Sequence, residues 1–310
     1  MKGNIFDVKR FAIHDGQGIR TTIFFKGCPL RCVWCQNPEG LEGDAQVLYM
    51  EKTCIHCGIC VKESKAHGVE LKHGNLQIFR DRKEDWRHLA GSCPSGALCL
   101  DTKEYTSDAL VEEALKDKMF FRYGGGVTIS GGEPFYQSDF LIEVFQKLKE
   151  KGIHTTIETS LFVKREILEK ALPYIDHLYV DIKLFDAEKH KQYTGVDNHI
   201  ILDNVAWLLH SDRKKDVTIR TPLIPGMSAT EENITAISRF ITSNYKDAAY
   251  ELLNYNPLAK AKYALTGKQY CFKENPELYT SKQMEEFYTM AKKRWYNKSN
   301  YCMNYKIKIQ

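Results

Sequence analysis

Residues 21–40 read TTIFFKGCPLRCVWCQNPEG. The first six, 21–26, are mostly β-branched and aromatic and predict a strand. Cys28, Cys32 and Cys35 follow at once, separated by three and then two residues. Three thiolates this close can hold three irons of a cubane cluster and leave the fourth iron without a protein ligand. A closed zinc shell would want a fourth Cys or His, and the loop contains no His.

Outward from this loop, strand-like runs recur at 126–130, 153–158, 177–181, 217–221 and 249–253. Helical patterns lie between them: 110–115 behind a capping Ser107, 140–148 behind Ser138, then 167–172, 205–209 and 234–241. Strands alternating with helices imply a parallel sheet, and about six such units predict an α/β fold, a partial, TIM-like (β/α)6 barrel. In β/α barrels the chemistry gathers where strands end. The candidates fall there: Gly131, Gly132 and Glu133 after the second strand, Glu158 and Thr159 ending the third. Asp181 and Lys183 end the fourth, Arg220 lies near the end of the fifth, and Asn256 follows the sixth.

The ten cysteines need a chemical explanation, because a chain without an export signal is expected in the cytoplasm, where thiols stay reduced. Eight lie between Cys28 and Cys99, whereas Cys271 and Cys302 stand alone as ordinary thiols. Residues 51–100 break the strand–helix alternation and read as an iron-sulfur insert between barrel segments 1–50 and 101–310. Cys54, Cys57 and Cys60 are spaced as in a ferredoxin, and Cys93, followed by Pro94, completes four ligands for one auxiliary [4Fe-4S] cluster. Ser64, Lys83, Trp86 and Leu89 stand where a second auxiliary cluster would need cysteine; Cys99 is a spare thiol. Four thiolates also suit a structural zinc ion, and that alternative stays open.

A net charge of +4 from 44 basic and 40 acidic dispersed residues argues against nucleic acid as the main partner. No apolar run approaches the ~18 residues of a membrane span. The basic stretch 292–294 reads as a solvated helix end, Thr280 and Gln283 as a capping box, and 301–309 as a strand-like tail.

The cysteine loop together with Gly131-Gly132-Glu133-Pro134 resembles the radical S-adenosylmethionine (SAM) superfamily. More narrowly, HDGQGIRTTIFFKGCPLRCVWCQNPEG (14–40), DIKLFDAEKHKQYTGVDN (181–198) and TIRTPLIPG (218–226) resemble the glycyl radical enzyme activating enzymes, the family of the pyruvate formate-lyase activating enzyme. The resemblance implies that a [4Fe-4S] cluster with an open iron binds SAM and reductively splits it. The resulting 5'-deoxyadenosyl radical takes a glycine Cα hydrogen from a partner protein. It implies cofactor contacts from the glycines and Glu133, from Asp181 and Lys183, and from Trp34 at the adenine side. Asp15, Gly16 and Gly18 would seat the partner's glycine loop. Glu158, Thr159 and Asp181 would hold a monovalent cation; otherwise Glu158 meets a cofactor hydroxyl or pairs with Lys183. Gln36 and Asn256 stand where the family often has His, and both can hydrogen-bond without titrating. A flavodoxin or ferredoxin is the expected electron donor, and a monomer meeting its partner transiently the expected state. Two rivals are a radical enzyme of this fold acting on a small molecule or peptide, and an iron-sulfur electron carrier. The DGQGIR segment argues against the first; the GGE and Asp-x-Lys elements argue against the second.

Overall fold

A computed structural model describes residues 1–72 and 74–292. The chain opens on β1 (Lys2–Ala12), antiparallel to β2 (Arg20–Phe25). The cysteine loop leads to β3 (Val47–Tyr49), which pairs with β6 (Leu98–Leu100) and closes the base of the segment between them. That segment carries α1 (Ile59–Glu63), the paired strands β4 (Val69–Lys72) and β5 (Asn75–Ile78), and α2 (Trp86–Gly91). Then come β7 (Lys103–Thr106), α3 (Ser107–Leu115), β8 (Gly126–Gly131), α4 (Ser138–Glu150), β9 (Thr155–Thr159) and α5 (Arg165–Ala171). The rest is β10 (His177–Asp181), α6 (Ala187–Thr194), α7 (His199–His210), β11 (Val217–Pro222), α8 (Glu231–Asn244), β12 (Ala249–Leu253), α9 (Ala259–Thr266) and α10 (Ser281–Lys292).

The main sheet runs β12-β11-β10-β9-β8-β2-β1-β7. Its six parallel strands stand in chain order, so every right-handed crossover steps the same way and every connecting helix lands on the same face. A sheet covered on one face curls around the other, which is the partial (β/α)6 barrel. The residue pattern agrees with this. Ile23, Phe25, Val127, Ile129, Ile157, Leu178, Val180 and Ile219 join one core with Phe140, Val144, Phe145 and Leu148 of α4 and Val205 and Leu208 of α7. Their strand neighbours, one residue on, turn to the opposite face. There the register sets Thr22, Thr128, Thr156 and His177 side by side, then Glu158, Tyr179 and Thr218, then Asp181, Arg220 and Glu251. The concave side is polar along its whole depth.

All six parallel strands fall within two residues of their sequence positions. Two caps differ: α3 is capped by Thr106, which accepts from Ala109 N at 3.2 Å, while Ser107 is its first residue; α4 has no side-chain cap, with Ser138 already helical. The Thr280–Gln283 box forms, with Thr280 N donating to Gln283 Oε1 at 2.9 Å. Cys302, the tail 301–309 and the basic residues 293 and 294 lie outside the described residues.

Where a second auxiliary cluster would need ligands, the 51–100 segment is filled. Leu89 is fully buried with Trp86 against it, and Ser64 Oγ donates to Glu84 Oε2 at 2.6 Å. Burial would raise the Glu84 carboxyl, but Ser64 and the N–H groups of Gly68 and Ala66 hold it at about 2. The folded group is more acidic than its ordinary 4.5, so its stabilisation is complete above that pH and drains away as pH falls toward about 2. Glu84→Gln is expected to flatten the acid limb of a Tm–pH curve across this window. An acid limb identical to that of the parent would refute the assignment.

Candidate active site

The cysteine loop is pinned from three sides. Cys28 N donates to Leu41 O at 3.1 Å and Cys35 N to Cys32 O at 3.0 Å, while Arg31 N and Val33 N donate to Thr194 O and Tyr193 O at the end of α6. From β8, Gly132 N donates to Phe25 O at 2.9 Å and Glu133 N to Gly27 O at 2.8 Å. A Cβ on Gly132 would stand 2.3 Å from both Gly27 O and Gly40 O, so only glycine lets these loops meet. Gly131 has φ +123° and its Cβ would strike Phe25 O at 2.3 Å. The glycines therefore hold the cysteine loop against β8, a role that precedes any contact with a ligand. Glu133 points inward at 1% exposure, accepting from Thr159 Oγ1 (2.6 Å), Ser160 N (2.8 Å), Ser160 Oγ (2.6 Å) and Phe135 N (3.3 Å). It ties the end of β9 to the loop after β8.

Cys28, Cys32 and Cys35 are free, half-buried thiols. Burial pushes all three up, Cys35 to about 12; the Glu133 charge adds to the effect at Cys28, whereas Lys183 opposes it at Cys32. Neutral thiols in a dry loop become thiolates only when metal displaces their protons. Among the described residues no three His, Cys, Asp or Glu side chains gather into a single-ion shell. Three soft sulfur donors on one pinned loop fit a multi-iron group.

Beside the thiols lies a neutral quartet built by adjacent strand ends. Arg220 Nη1 donates to Glu158 Oε1 at 2.8 Å and its Nε to Asp181 Oδ1 at 3.2 Å; Lys183 Nζ donates to Asp181 Oδ2 at 3.0 Å. Ser130 Oγ completes Glu158 at 2.6 Å, and Tyr179 lies under the guanidinium at 4.7 Å. Burial opposes charge on Asp181, but Lys183 and Arg220 outweigh it and hold the carboxyl below its ordinary range. Burial likewise opposes charge on Lys183 and Arg220, and their carboxylate partners win. Glu158 thus pairs with Arg220 and not with Lys183, and Thr159 Oγ1 points at Glu133.

Asp15, Gly16 and Gly18 lie before β2, at the opposite end of that strand from the cysteines. Asp15 Oδ2 accepts from Thr22 Oγ1 and Asp15 O from Thr128 Oγ1, both at 2.6 Å, so the segment reaches the concave face. Gly18, at φ +71°, abuts Gly125, where a Cβ would stand 2.4 Å from the amide nitrogen. Trp34 is 3% exposed among Leu184, Ile224 and Tyr255, so its face is already covered by protein. Gln36 is half-buried, and Asn256 is exposed with its Oδ1 on Leu258 N at 3.0 Å. Sequence reading passed over Arg20, Thr22, Thr128 and Ser130. Arg20 is fully buried, donating to Thr128 Oγ1 at 2.6 Å and Val127 O at 2.7 Å. The signal that finds Thr22, Thr128 and Ser130 is strand period, since each lies one residue from an apolar core position; Arg20, between exposed Ile19 and polar Thr21, carries no such signal.

In the insert, Cys54, Cys57, Cys60 and Cys93 line one cavity, with Leu71, Leu76 and Leu98 as apolar walls. Cys93 Sγ already accepts from Leu98 N at 3.4 Å and lies 3.7 Å from Ser95 Oγ. Cys99 lies outside that cavity, on β6 opposite Leu48.

Residues 22–236 match the family model described as the Radical SAM superfamily. The chain is 38% identical over 291 residues to the 4-hydroxyphenylacetate decarboxylase activating enzyme of Clostridioides difficile strain 630, covering 90% of each chain. It is 37% identical over 288 residues to the choline trimethylamine-lyase activating enzyme of Oleidesulfovibrio alaskensis, covering 89% of this chain and 91% of that one. Identity to the (2S)-3-sulfopropanediol dehydratase activating enzyme of Klebsiella oxytoca is 39% over 285 residues, 87% of each.

Proposed function

The chain belongs to the radical SAM superfamily, and from that premise we propose that it is an activating enzyme that installs a glycyl radical in a partner protein. What carries the reading is the near end-to-end match to activating enzymes. When bound, a [4Fe-4S] cluster and SAM supply a 5'-deoxyadenosyl radical by reductive cleavage, which removes a glycine Cα hydrogen. Cys28, Cys32 and Cys35 would hold that cluster, on a loop whose rigidity comes from Gly132 and Glu133. Lys183, Asp181, Arg220 and Glu158 present paired positive and negative groups, the complement of a ligand bearing both an ammonium and a carboxylate. Glu158, Thr159 and Asp181 would hold a monovalent cation beside the cofactor carboxylate, with Arg220 and Lys183 paired to the two carboxylates in this structure. Asp15, Gly16 and Gly18 would receive the partner's glycine loop where the polar concave face opens. Cys54, Cys57, Cys60 and Cys93 would hold one auxiliary cluster that relays electrons from a flavodoxin or ferredoxin, or shapes the partner interface.

Reduced protein, SAM and a panel of 4-hydroxyphenylacetate decarboxylase, choline trimethylamine-lyase and sulfopropanediol dehydratase, mixed anaerobically, test the proposal. A protein-borne glycyl radical in the electron paramagnetic resonance spectrum of one of them is the expected result. Formation of 5'-deoxyadenosine that tracks modification of a small molecule, with no radical on any protein, would overturn it. Iron analysis tests the cluster count: about eight irons per chain, and about four in a protein lacking Cys28, Cys32 and Cys35. Tightly bound zinc without sulfide would favour the structural ion instead.

A further inference from the structure

A buried phenol without a hydrogen-bond partner is rare in a folded protein, since it forfeits the water it had in the unfolded chain. The Tyr49 hydroxyl comes close to this: its oxygen is buried and has no partner of full hydrogen-bond geometry among the described residues, with only the Cys54 thiol within reach. It is held there by regular structure. Tyr49 ends β3 opposite Leu98, and Met50 N donates to Ala97 O at 2.8 Å immediately beyond. The side chain lines the cavity of the four insert cysteines, beside Cys54. Around it the walls are Ile55, Ile59, Leu71 and Leu76, which offer no acceptor. On the other side of the cavity, Leu98 N already donates to Cys93 Sγ at 3.4 Å. The two paired strands thus aim one donor at Cys93 and a second at the Cys54 side.

An iron-sulfur cluster is a body of sulfur acceptors whose negative charge grows on reduction, so a donor aimed at it favours the reduced form. We infer that the Tyr49 hydroxyl donates a hydrogen bond to a sulfur of the auxiliary cluster, either sulfide or the Cys54 thiolate, and thereby raises its reduction potential. Tyr49 is a tuning residue, not a ligand, and the inference rests on the reading of the insert as a one-cluster site.

The test uses the full chain carrying Cys28→Ala, Cys32→Ala and Cys35→Ala, reconstituted anaerobically with iron and sulfide, with and without Tyr49→Phe. Both proteins should bind about four irons with matching sulfide. In a one-electron titration followed by electron paramagnetic resonance, Tyr49→Phe should lower the reduced-to-oxidised ratio at fixed potential about fivefold, ~40 mV at ~59 mV per decade. The shift of the Fe–S stretching bands on transfer to deuterated buffer, which reports protons on sulfur, should also shrink in Tyr49→Phe. Equal potentials and equal band shifts in two proteins that both hold four irons would overturn the role of Tyr49. Zinc without sulfide in both proteins would instead overturn the cluster reading beneath it. Should Tyr49→Phe fail to hold iron, Tyr49→Leu takes its place in both readouts, because the Leu98 N–H on Cys93 gives the parent a deuterium shift of its own.

Discussion

Cys32→Ala, reconstituted with iron and sulfide and reduced with dithionite, is expected to form no 5'-deoxyadenosine above background while keeping about four irons in the insert. The argument is positional. Cys32 is the middle donor of a loop whose backbone is fixed at Cys28 N, Val33 N and Cys35 N, so a neighbouring side chain cannot swing in to replace it. No His lies in the loop, and of the charged groups that act on Cys32, Lys183 is a cation unable to bind iron and the Asp181 carboxylate is held by Lys183 and Arg220. Removing one of three thiols leaves two, too few to hold a cubane with one open iron. The insert cysteines line a separate cavity bounded by their own strands, so their iron should survive. Substantial SAM cleavage by the Cys32→Ala protein would sink the assignment of the loop.

The parts of this fold that were legible in the sequence are those where burial dictates residue type. The parallel strands are covered on one face by helices, so runs such as 126–130 and 217–221 stand out as β-branched. Strand β1 was missed because KGNIFDVKRFA alternates charge with apolar residues and buries only part of one side, Ile5 in the core and Lys9 outside it. Helix α6 was missed because AEKHKQYT is polar nearly throughout, with only His190 and Thr194 buried. The cap of α3 slipped by one residue because Thr106 and Ser107 are chemically equivalent candidates, and only backbone geometry separates them. At the site, the identities of Glu158, Asp181, Lys183 and Arg220 were readable, but their pairing was not. Pairing depends on register: β10 and β11 bring Asp181 opposite Arg220, and that places the guanidinium between two carboxylates.

That register makes Asp181→Ala the more searching substitution. Among the described residues, Asp181 is the one carboxylate that bonds both cations, taking Arg220 on Oδ1 and Lys183 on Oδ2. Without it, Glu158 still engages Arg220, but Lys183 loses its ion-pair partner in a site where its side chain is only 15% exposed. Removing one member of a buried ionic pair costs about 3–5 kcal/mol when the other stays charged. Lys183 would relieve that by swinging toward the sulfurs of the cysteine loop, and so leave the position from which it can meet a ligand carboxylate. SAM affinity should therefore fall by about a hundredfold or more, on the order of ~3 kcal/mol, with iron content unchanged because Asp181 supplies no ligand to the loop. Asp181→Asn keeps the shape and accepts from Lys183 through its carbonyl, so it should fall between the parent and the alanine protein. Equilibrium SAM binding measured beside iron and sulfide on the same preparations separates the possibilities. An Asp181→Ala protein that binds SAM as the parent does, or one that folds but loses the iron of the Cys28 loop, would place Asp181 outside the cofactor site.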